Sequence, residues 1–326
     1  MGLFDEQISR KPNKYPWTKE FIDAIWQGFW TPDEFSFTAD KGQFRSELTE
    51  QERGMMTRNL SAIGQIEIAV KTFWANLGAN LPHPSLSDLG FAMANSEVIH
   101  NLAYEKLLDV LNMEHVFAEN LKDPVIKGRV DYLRKYAKRV YVDDRKQYIY
   151  SIALFTLFVE NASLFSQFYV VMHFNRFRAL LKDTTQQVQY TRNEENLHAM
   201  IGIKIIQTLR EEYPELFDQE MEDRINQEIV EAIECEGRVI EWIMQGYEAP
   251  GLSEDILKAF VKRRICDAVG QIGFQAPALT EEELNLLDHT EWFDEELLGG
   301  TMTDFFAKRP VEYTRNNRAF DAADMF

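Results

Sequence analysis

The chain has 326 residues, of which 45% are hydrophobic and 13% aromatic, and this composition is that of a globular protein rather than a disordered one. The net charge of −18 argues against nucleic acid or an anionic membrane surface as a partner. The two distant cysteines, Cys235 and Cys266, give neither a disulfide framework nor a zinc signature, and the N-terminus lacks the apolar segment of a secretory signal. We therefore expect a cytoplasmic protein.

Apolar residues recur at three- and four-residue spacing along almost the whole chain, and patterns typical of strands are scarce. The sequence therefore predicts an all-α fold, with breakers such as the segment GANLPHP between the long helices. The double glycine Gly299-Gly300 marks the predicted end of one helical domain, residues 1–300. Residues 301–326 are predicted to form a flexible tail.

The first half of the chain carries a lone glutamate followed by a Glu-x-x-His motif. Glu67 lies on the same helical stripe as Trp74 and interrupts an otherwise apolar face. Thirty residues after Glu67, Glu97 and His100 are spaced so that both side chains leave one face of a helix. An accidental match to so short a motif is common, so the motif alone is weak evidence for a site.

The second half repeats this pattern within a very apolar segment. From Tyr148 to Phe174 the one charged side chain is Glu160, and the segment is long enough to span a membrane. A helix buried on all sides within a large bundle gives the same pattern and is the preferred interpretation, because polar residues interrupt the segment. Thirty-five residues after Glu160, Glu195 and His198 form a second Glu-x-x-His motif.

Four glutamates and two histidines converging inside a helical bundle are typical of the dinuclear metal sites of ferritin-like proteins. A surface glutamate or an arginine-paired core glutamate would explain either lone glutamate by itself, but not the repeated pattern. Hard carboxylate oxygens with one imidazole for each metal favour iron or manganese. The predicted fold is thus an all-α, ferritin-like bundle with a buried dinuclear site, whose predicted ligands are Glu67, Glu97, His100, Glu160, Glu195 and His198.

These segments resemble the small, radical-generating subunit of class I ribonucleotide reductase over most of the chain. The stretches QIEIAVKTFW, SEVIHNLAY, FVENASLFSQFY and NEENLH resemble the four ligand helices of that family. The stretch GFWTPDEF resembles the segment that bears its electron-transfer tryptophan, here Trp30. The tail tyrosine Tyr313 is similar to a terminal relay tyrosine, and the tail itself to a segment that docks on the large subunit.

The resemblance implies a ribonucleoside-diphosphate reductase small subunit that oxidises two metal ions per chain, Fe/Fe or Mn/Mn, and sends the oxidising equivalent to a large catalytic subunit. It also implies a homodimer and allows a flavoprotein activator. Tyr104 lies one turn beyond His100, on the ligand face, where the family carries its tyrosyl radical. For Tyr104 and Trp30 a plain core position remains an alternative, and for Tyr313 an inert position in a disordered tail.

Two departures from the family pattern bear on the mechanism. Glu67 stands where many members carry Asp, and members with Glu there include some that keep the oxidising equivalent on the metals instead of a tyrosine. Glu194, the relay acid implied by the resemblance, also stands where Asp is usual. With this longer side chain, the link between His100 and Trp30 conducts only if both contacts stay within about 3 Å.

Three other functions remain open from the residues. A di-metal oxidase or monooxygenase acting directly on an apolar substrate would share the fold but leave Trp30 and Tyr313 without a role. A ferritin-like protein that stores metal would normally be a much shorter chain assembled into a cage. A membrane protein would use the segment around Glu160 as its span.

Overall fold

The computed structural model describes residues 2–293, except for the side chains of residues 67–69. Residues 2–290 belong to one compact unit, and a second unit begins at Glu291. The predicted domain boundary at residue 300 and the predicted tail therefore lie outside the described residues. The all-α prediction is confirmed: within residues 2–293 the regular structure is helical throughout, without a β-strand.

The described part of the chain contains thirteen α-helices. They are α1 (Trp17–Gln27), α2 (Thr38–Ser46), α3 (Glu50–Ala75), α4 (Leu77–Asn80), α5 (Pro84–Leu111), α6 (Glu114–Asn120), α7 (Pro124–Leu133), α8 (Asp144–Leu154), α9 (Phe165–Arg178), α10 (Lys182–Glu212), α11 (Gln219–Met244), α12 (Glu254–Gln271) and α13 (Glu281–Leu287). A π-helical turn, Phe155–Glu160, follows α8 directly.

Two glycines permit close packing around the centre of the bundle. A Cβ atom on Gly90 would collide with the backbone carbonyl of Trp74, so Gly90 allows α5 to approach α3 closely. A Cβ atom on Gly202 would collide with the side chain of Thr156, so Gly202 allows α10 to approach the π-helical turn. These approaches bring the helices that carry the predicted ligands into one bundle.

Both ends of α10 are held by distant parts of the chain. At its start, Thr184 donates hydrogen bonds from its backbone nitrogen and from Oγ1 to Oδ2 of the buried Asp40, over 2.6 and 2.7 Å. At its end, Glu212 accepts hydrogen bonds from the backbone nitrogen of Leu3 and from the hydroxyl of Tyr15, over 2.6 and 3.0 Å. The long helix that bears the second Glu-x-x-His motif is therefore fixed in position at both ends.

The apolar segment around Glu160 is the core of the bundle. The stretch Asp144–Arg178 is long and apolar enough to cross a membrane, but 89% of its apolar window is buried inside the protein. This burial agrees with the preferred interpretation of the sequence, a helix buried on all sides within a large bundle.

Candidate metal centre

Three carboxylates and one imidazole meet at the centre of the bundle. Glu97 from α5, Glu160 from the π-helical turn, and Glu195 and His198 from α10 each offer a ligand atom, and these four atoms all lie within 4.8 Å of one another. All four residues are buried, with at most 2% of the surface of each exposed. Carboxylate charges gathered so closely in a protein interior require a compensating positive charge.

His100 joins the same cluster. Its Nδ1 lies 3.2 Å from Oε2 of Glu97 and 3.1 Å from Oε1 of Glu195. Nδ1 of His198, from the second motif, lies 2.8 Å from Oε1 of Glu97 in the first motif. Each histidine therefore contacts a glutamate of the other Glu-x-x-His motif, so the structure brings the two motifs to one place.

Glu67, the sixth predicted ligand, lies within α3, and its side chain is outside the described residues. The helix itself packs against α5, which carries Glu97 and His100. The role of Glu67 as a metal ligand therefore remains a prediction, based on its position on the apolar stripe of α3.

The orientation of the donor atoms fits a metal ion. Oε1 of Glu97 and Nδ1 of His198 lie 2.8 Å apart, yet among the described residues neither atom makes a hydrogen bond. Oε2 of Glu160 is also buried without a hydrogen bond in that part of the chain. Buried polar atoms are almost always hydrogen-bonded, so three such atoms without hydrogen bonds around a shared space indicate a cation site.

Glu160 owes its position to two local features. It is the last residue of the π-helical turn, whose wider coil changes the direction in which the following side chains leave the helix. Its Oε1 accepts a hydrogen bond of 2.5 Å from Nε1 of Trp74, a fully buried residue of α3. One carboxylate oxygen is thus fixed by the indole, and the other faces the cluster.

The buried glutamate and histidine side chains of the cluster shift each other's pKa values. Burial and the neighbouring Glu195 carboxylate raise the pKa of Glu160 well above its usual range. Burial also acts to raise the pKa of Glu195, but its interactions with Glu160 and both histidines outweigh burial and lower it. For His198, burial acts to lower the pKa, while attraction to Glu97 and to the other glutamates raises it well above its usual value. Without metal, Glu160 and His198 therefore keep their protons to a higher pH than an ordinary glutamate or histidine does.

A hydrogen-bonded chain leads out of the cluster to Trp30. Nε2 of His100 lies 2.7 Å from Oε2 of Glu194, and Nε1 of Trp30 donates a hydrogen bond of 2.7 Å to the same oxygen. The Trp30 and His100 rings are nearly parallel, with an interplanar angle of 28° and centroids 6.3 Å apart. The longer Glu194 side chain thus keeps both contacts within hydrogen-bond distance.

Comparison with known proteins decides the family. Residues 7–277 match the family model described as ribonucleotide reductase, small chain. The chain belongs to this family.

Individual relatives agree at low sequence identity. The small chain is 22% identical over 307 residues to the ribonucleoside-diphosphate reductase subunit beta of Halalkalibacterium halodurans, with 93% of this chain and 87% of the relative covered. The R2 subunit of ribonucleotide reductase from Clostridium botulinum superposes with a TM-score of 0.78 at 20% identity, over 91% of this chain and 94% of that one. An R2-like ligand-binding oxidase with a reconstituted Mn/Fe cofactor gives a TM-score of 0.68 at 18% identity, over 81% and 95% of the two chains. At these identities the two structural matches establish the fold alone.

Membership of the family confirms several predictions. The protein is a ribonucleotide reductase small subunit with an all-α, ferritin-like bundle, and it works with a large subunit. The predicted class of cofactor is also confirmed, because the buried donor group combines carboxylates with imidazole, the set that iron and manganese prefer. The roles of individual residues stay predictions.

Tyr104 lies in the bundle as its spacing from His100 predicts. It is a buried residue of α5, one helical turn beyond His100, with 2% of its surface exposed. Leu164 and Phe168, four and eight residues after Glu160, are also buried. Tyr313 lies outside the described residues, so its relay role remains a prediction.

Tyr190 is an aromatic neighbour of Trp30 that the sequence reasoning missed. Its ring centroid lies 5.7 Å from that of Trp30, and the side chain is half-buried, so it extends from the relay towards the surface. A signal was present in the sequence, because Tyr190 precedes Glu194 by four residues and therefore shares its helix face. Tyrosine and tryptophan are both oxidisable, so Tyr190 is a further candidate for the predicted relay.

Proposed function

We propose that this small chain generates and stores an oxidising equivalent at a dinuclear metal site and passes it to the large subunit, which reduces ribonucleoside diphosphates to deoxyribonucleotides for DNA replication. The observation that carries the proposal is the unbroken contact from the donor cluster through His100 and Glu194 to Trp30. A protein that only stores metal has no use for such a path.

The proposed ligands of the two metals are four glutamates and two histidines: Glu67, Glu97, His100, Glu160, Glu195 and His198. Four ionised carboxylates would offset the charge of two divalent cations, leaving a buried centre that is close to neutral. When bound, iron or manganese would supply the redox chemistry that draws an oxidising equivalent from oxygen or a reduced oxygen species. The protein would supply the ligands, exclude water and connect the site to Trp30.

Glu194 is the proposed link between the metal centre and the relay. The Nδ1 of His100 faces the donor cluster, which leaves Nε2 to carry the proton and donate it to Glu194. The same carboxylate oxygen accepts the Trp30 N–H, so its negative charge stabilises positive charge on either ring. Electron transfer from Trp30 towards the centre would thus proceed with the indole proton already shared with a carboxylate.

The stored oxidising equivalent resides either on Tyr104 or on the metals. The buried position of Tyr104 supports a protected phenoxyl radical, whereas Glu67 supports the metal-centred form found among family members with Glu there. Electron paramagnetic resonance on the metal-loaded protein decides between them. A tyrosyl signal lost in Tyr104→Phe places the equivalent on Tyr104, and a coupled metal signal that survives the substitution places it on the metals.

A homodimer is proposed from an exposed apolar face of α5. Phe91, Val98 and Leu102 lie at i, i+7 and i+11, on one side of the helix, and are 62%, 43% and 51% exposed. Large apolar side chains aligned in this way on a helix that also bears two buried ligands are typical of an interface. Further proposals are a cytoplasmic location, docking of the tail on the large subunit, and activation by a flavoprotein.

The test is reconstitution of the full chain with iron or manganese and assay with and without the large subunit. We expect two metals per chain by elemental analysis, and reduction of ribonucleoside diphosphates only when both subunits are present. Oxidation of an apolar substrate by the small chain alone, with no stimulation of a large subunit, would instead establish the oxidase alternative, which shares this fold.

A further inference from the structure

Arg264 of α12 is bonded to the residue that follows Glu160. Its Nε donates a hydrogen bond of 2.8 Å to the backbone carbonyl of Asn161, and its Nη2 donates one of 3.1 Å to Oδ1 of the same residue. In return, Nδ2 of Asn161 donates to the backbone carbonyl of Arg264 over 2.8 Å. Asn161 is the residue that directly follows the π-helical turn and caps it, so these bonds fix the turn at its C-terminal end.

The same guanidinium also reaches the residue that follows Glu195. Nη2 of Arg264 donates a second hydrogen bond, of 2.9 Å, to Oδ1 of Asn196 on α10. Its planar group lies 3.4 Å from the centre of the Phe165 ring, at the first residue of α9. One side chain of α12 therefore joins the two segments that carry Glu160 and Glu195, each at the residue next to the glutamate.

We propose that Arg264 is a positioning residue that fixes the spacing of Glu160 and Glu195 in the metal centre. The proposal rests on the proposed function, because Arg264 can position metal ligands only if the cluster binds metal. It assigns Arg264 no contact with the metals. Its effect passes through Asn161 and Asn196, which immediately follow the proposed ligands Glu160 and Glu195.

The planar guanidinium group of Arg264, whose N–H groups point outwards as a fork, suits this positioning role. Its planar N–H groups hold three acceptor atoms in fixed directions, which a single ammonium group cannot reproduce. Removing the fork would leave the exit of the π-helical turn without its side-chain anchor, while the remaining core of the bundle stays in place. Residues that orient metal ligands from outside the first coordination shell typically change metal affinity by about 10- to 100-fold when they are substituted.

The experiment titrates Co(II) into the full-length, metal-free protein and follows the visible absorption, which reports the ligand geometry of each site. The variants are Arg264→Gln and Arg264→Lys, and the matched control is Arg263→Gln. Arg263 is the neighbouring exposed residue of α12 and pairs with Asp267 over 2.7 Å, away from the asparagines. Thermal unfolding of each metal-free variant is measured in parallel.

We expect both Arg264 variants to bind Co(II) at least about 10-fold more weakly at one site and to show an altered spectrum, with the control unchanged. Lysine keeps the charge but loses the fork, so it should not restore the wild-type spectrum. Lower thermal stability together with wild-type affinity and spectrum would make Arg264 a purely structural residue and overturn the proposal. Wild-type behaviour of Arg264→Lys would also overturn it, because charge alone would then suffice.

Two further variants keep the test decisive if the Arg264 variants do not fold. Asn161→Ala and Asn196→Ala each remove one side-chain oxygen that accepts a hydrogen bond from Arg264, and each should reproduce part of the spectral change. An unchanged spectrum in both would contradict the proposal. If the wild-type chain itself binds no Co(II), the proposed metal function fails first, and this outcome is distinct from an effect confined to the variants.

Discussion

Nε1 of Trp30 lies 2.7 Å from Oε2 of Glu194, although the two residues are 164 positions apart in the chain. The same oxygen is 2.7 Å from Nε2 of His100, so a single carboxylate oxygen serves both rings. The extra methylene of Glu, compared with the Asp usual at this position, is therefore accommodated without loss of contact. This geometry is the basis of the first prediction.

Glu194→Gln should disable the relay while the metal centre is retained. Glutamine preserves the size of the side chain but removes the negative charge of the carboxylate that accepts hydrogen bonds from both rings. We expect turnover with the large subunit to fall by about 100-fold or more, the scale of a lost proton-transfer group. Metal content by elemental analysis should be unchanged. The matched control is Glu211→Gln, an exposed position on the same helix, and an equal loss there would contradict the prediction.

Glu160→Ala should abolish binding of at least one metal, because it removes a donor atom from the centre of the cluster. Elemental analysis after reconstitution measures this directly. Full occupancy in the variant would remove Glu160 from the ligand set.

Glu160→Gln should weaken metal binding without lowering the thermal stability of the metal-free protein. Because the folded-state pKa of Glu160 is raised, its contribution to stability is fully present below the unfolded pKa and is lost as the pH rises through the folded one. Glutamine resembles the protonated acid and does not ionise. At pH 8 the metal-free variant should therefore unfold at the same temperature as the wild type or a higher one, while binding metal more weakly. A clearly lower unfolding temperature would contradict this account.

Metal affinity should rise with pH. Because the pKa values of Glu160 and His198 are raised, both groups keep their protons to a higher pH than usual, and a metal ion must displace these protons when it binds. The logarithm of the apparent association constant should increase by about 1 to 2 for each pH unit, one for each proton released. Calorimetry in two buffers of different ionisation enthalpy counts these protons between pH 6 and 8. Binding that is independent of both pH and buffer would rule out the displacement.

Phe91→Glu should dissociate the proposed dimer. A carboxylate placed in the middle of an apolar interface loses its hydration without gaining a partner. Light scattering should report the mass of one chain, 38.1 kDa, instead of twice that value. The control is Val142→Glu at a residue that is 94% exposed, which should leave the mass unchanged. A wild-type chain that is already monomeric would contradict the interface.

Tyr313→Phe should stop turnover with the large subunit and leave the metal centre intact. The substitution removes the phenolic hydroxyl, the group that can be oxidised with loss of a proton, and keeps the aromatic ring. Metal content and the electron paramagnetic resonance signal serve as the controls. Normal turnover would take Tyr313 out of the relay.

The sequence by itself predicted the helical class and the two Glu-x-x-His motifs, because helical periodicity is local. Residues three apart, such as Glu97 and His100, share a face wherever the helix packs. Glu160 was also visible without a structure, since a single carboxylate within so long an apolar segment needs a partner. Five of the six predicted ligands have described side chains, and the structure brings all five together.

Only the tertiary structure decided the contacts between distant segments. Local periodicity places Glu194 on a helix face, but it cannot show that Trp30 lies within hydrogen-bond distance, because that depends on how the N-terminal segment packs against α10. The same holds for Arg264, which contacts two residues on separate elements. Contacts of this kind are set by the packing of whole helices, in which each side chain position depends on all the others. The ligand pattern can therefore be predicted from the sequence. Its contacts with Trp30 through Glu194, and with Arg264 of α12 through the two asparagines, depend on how the helices pack.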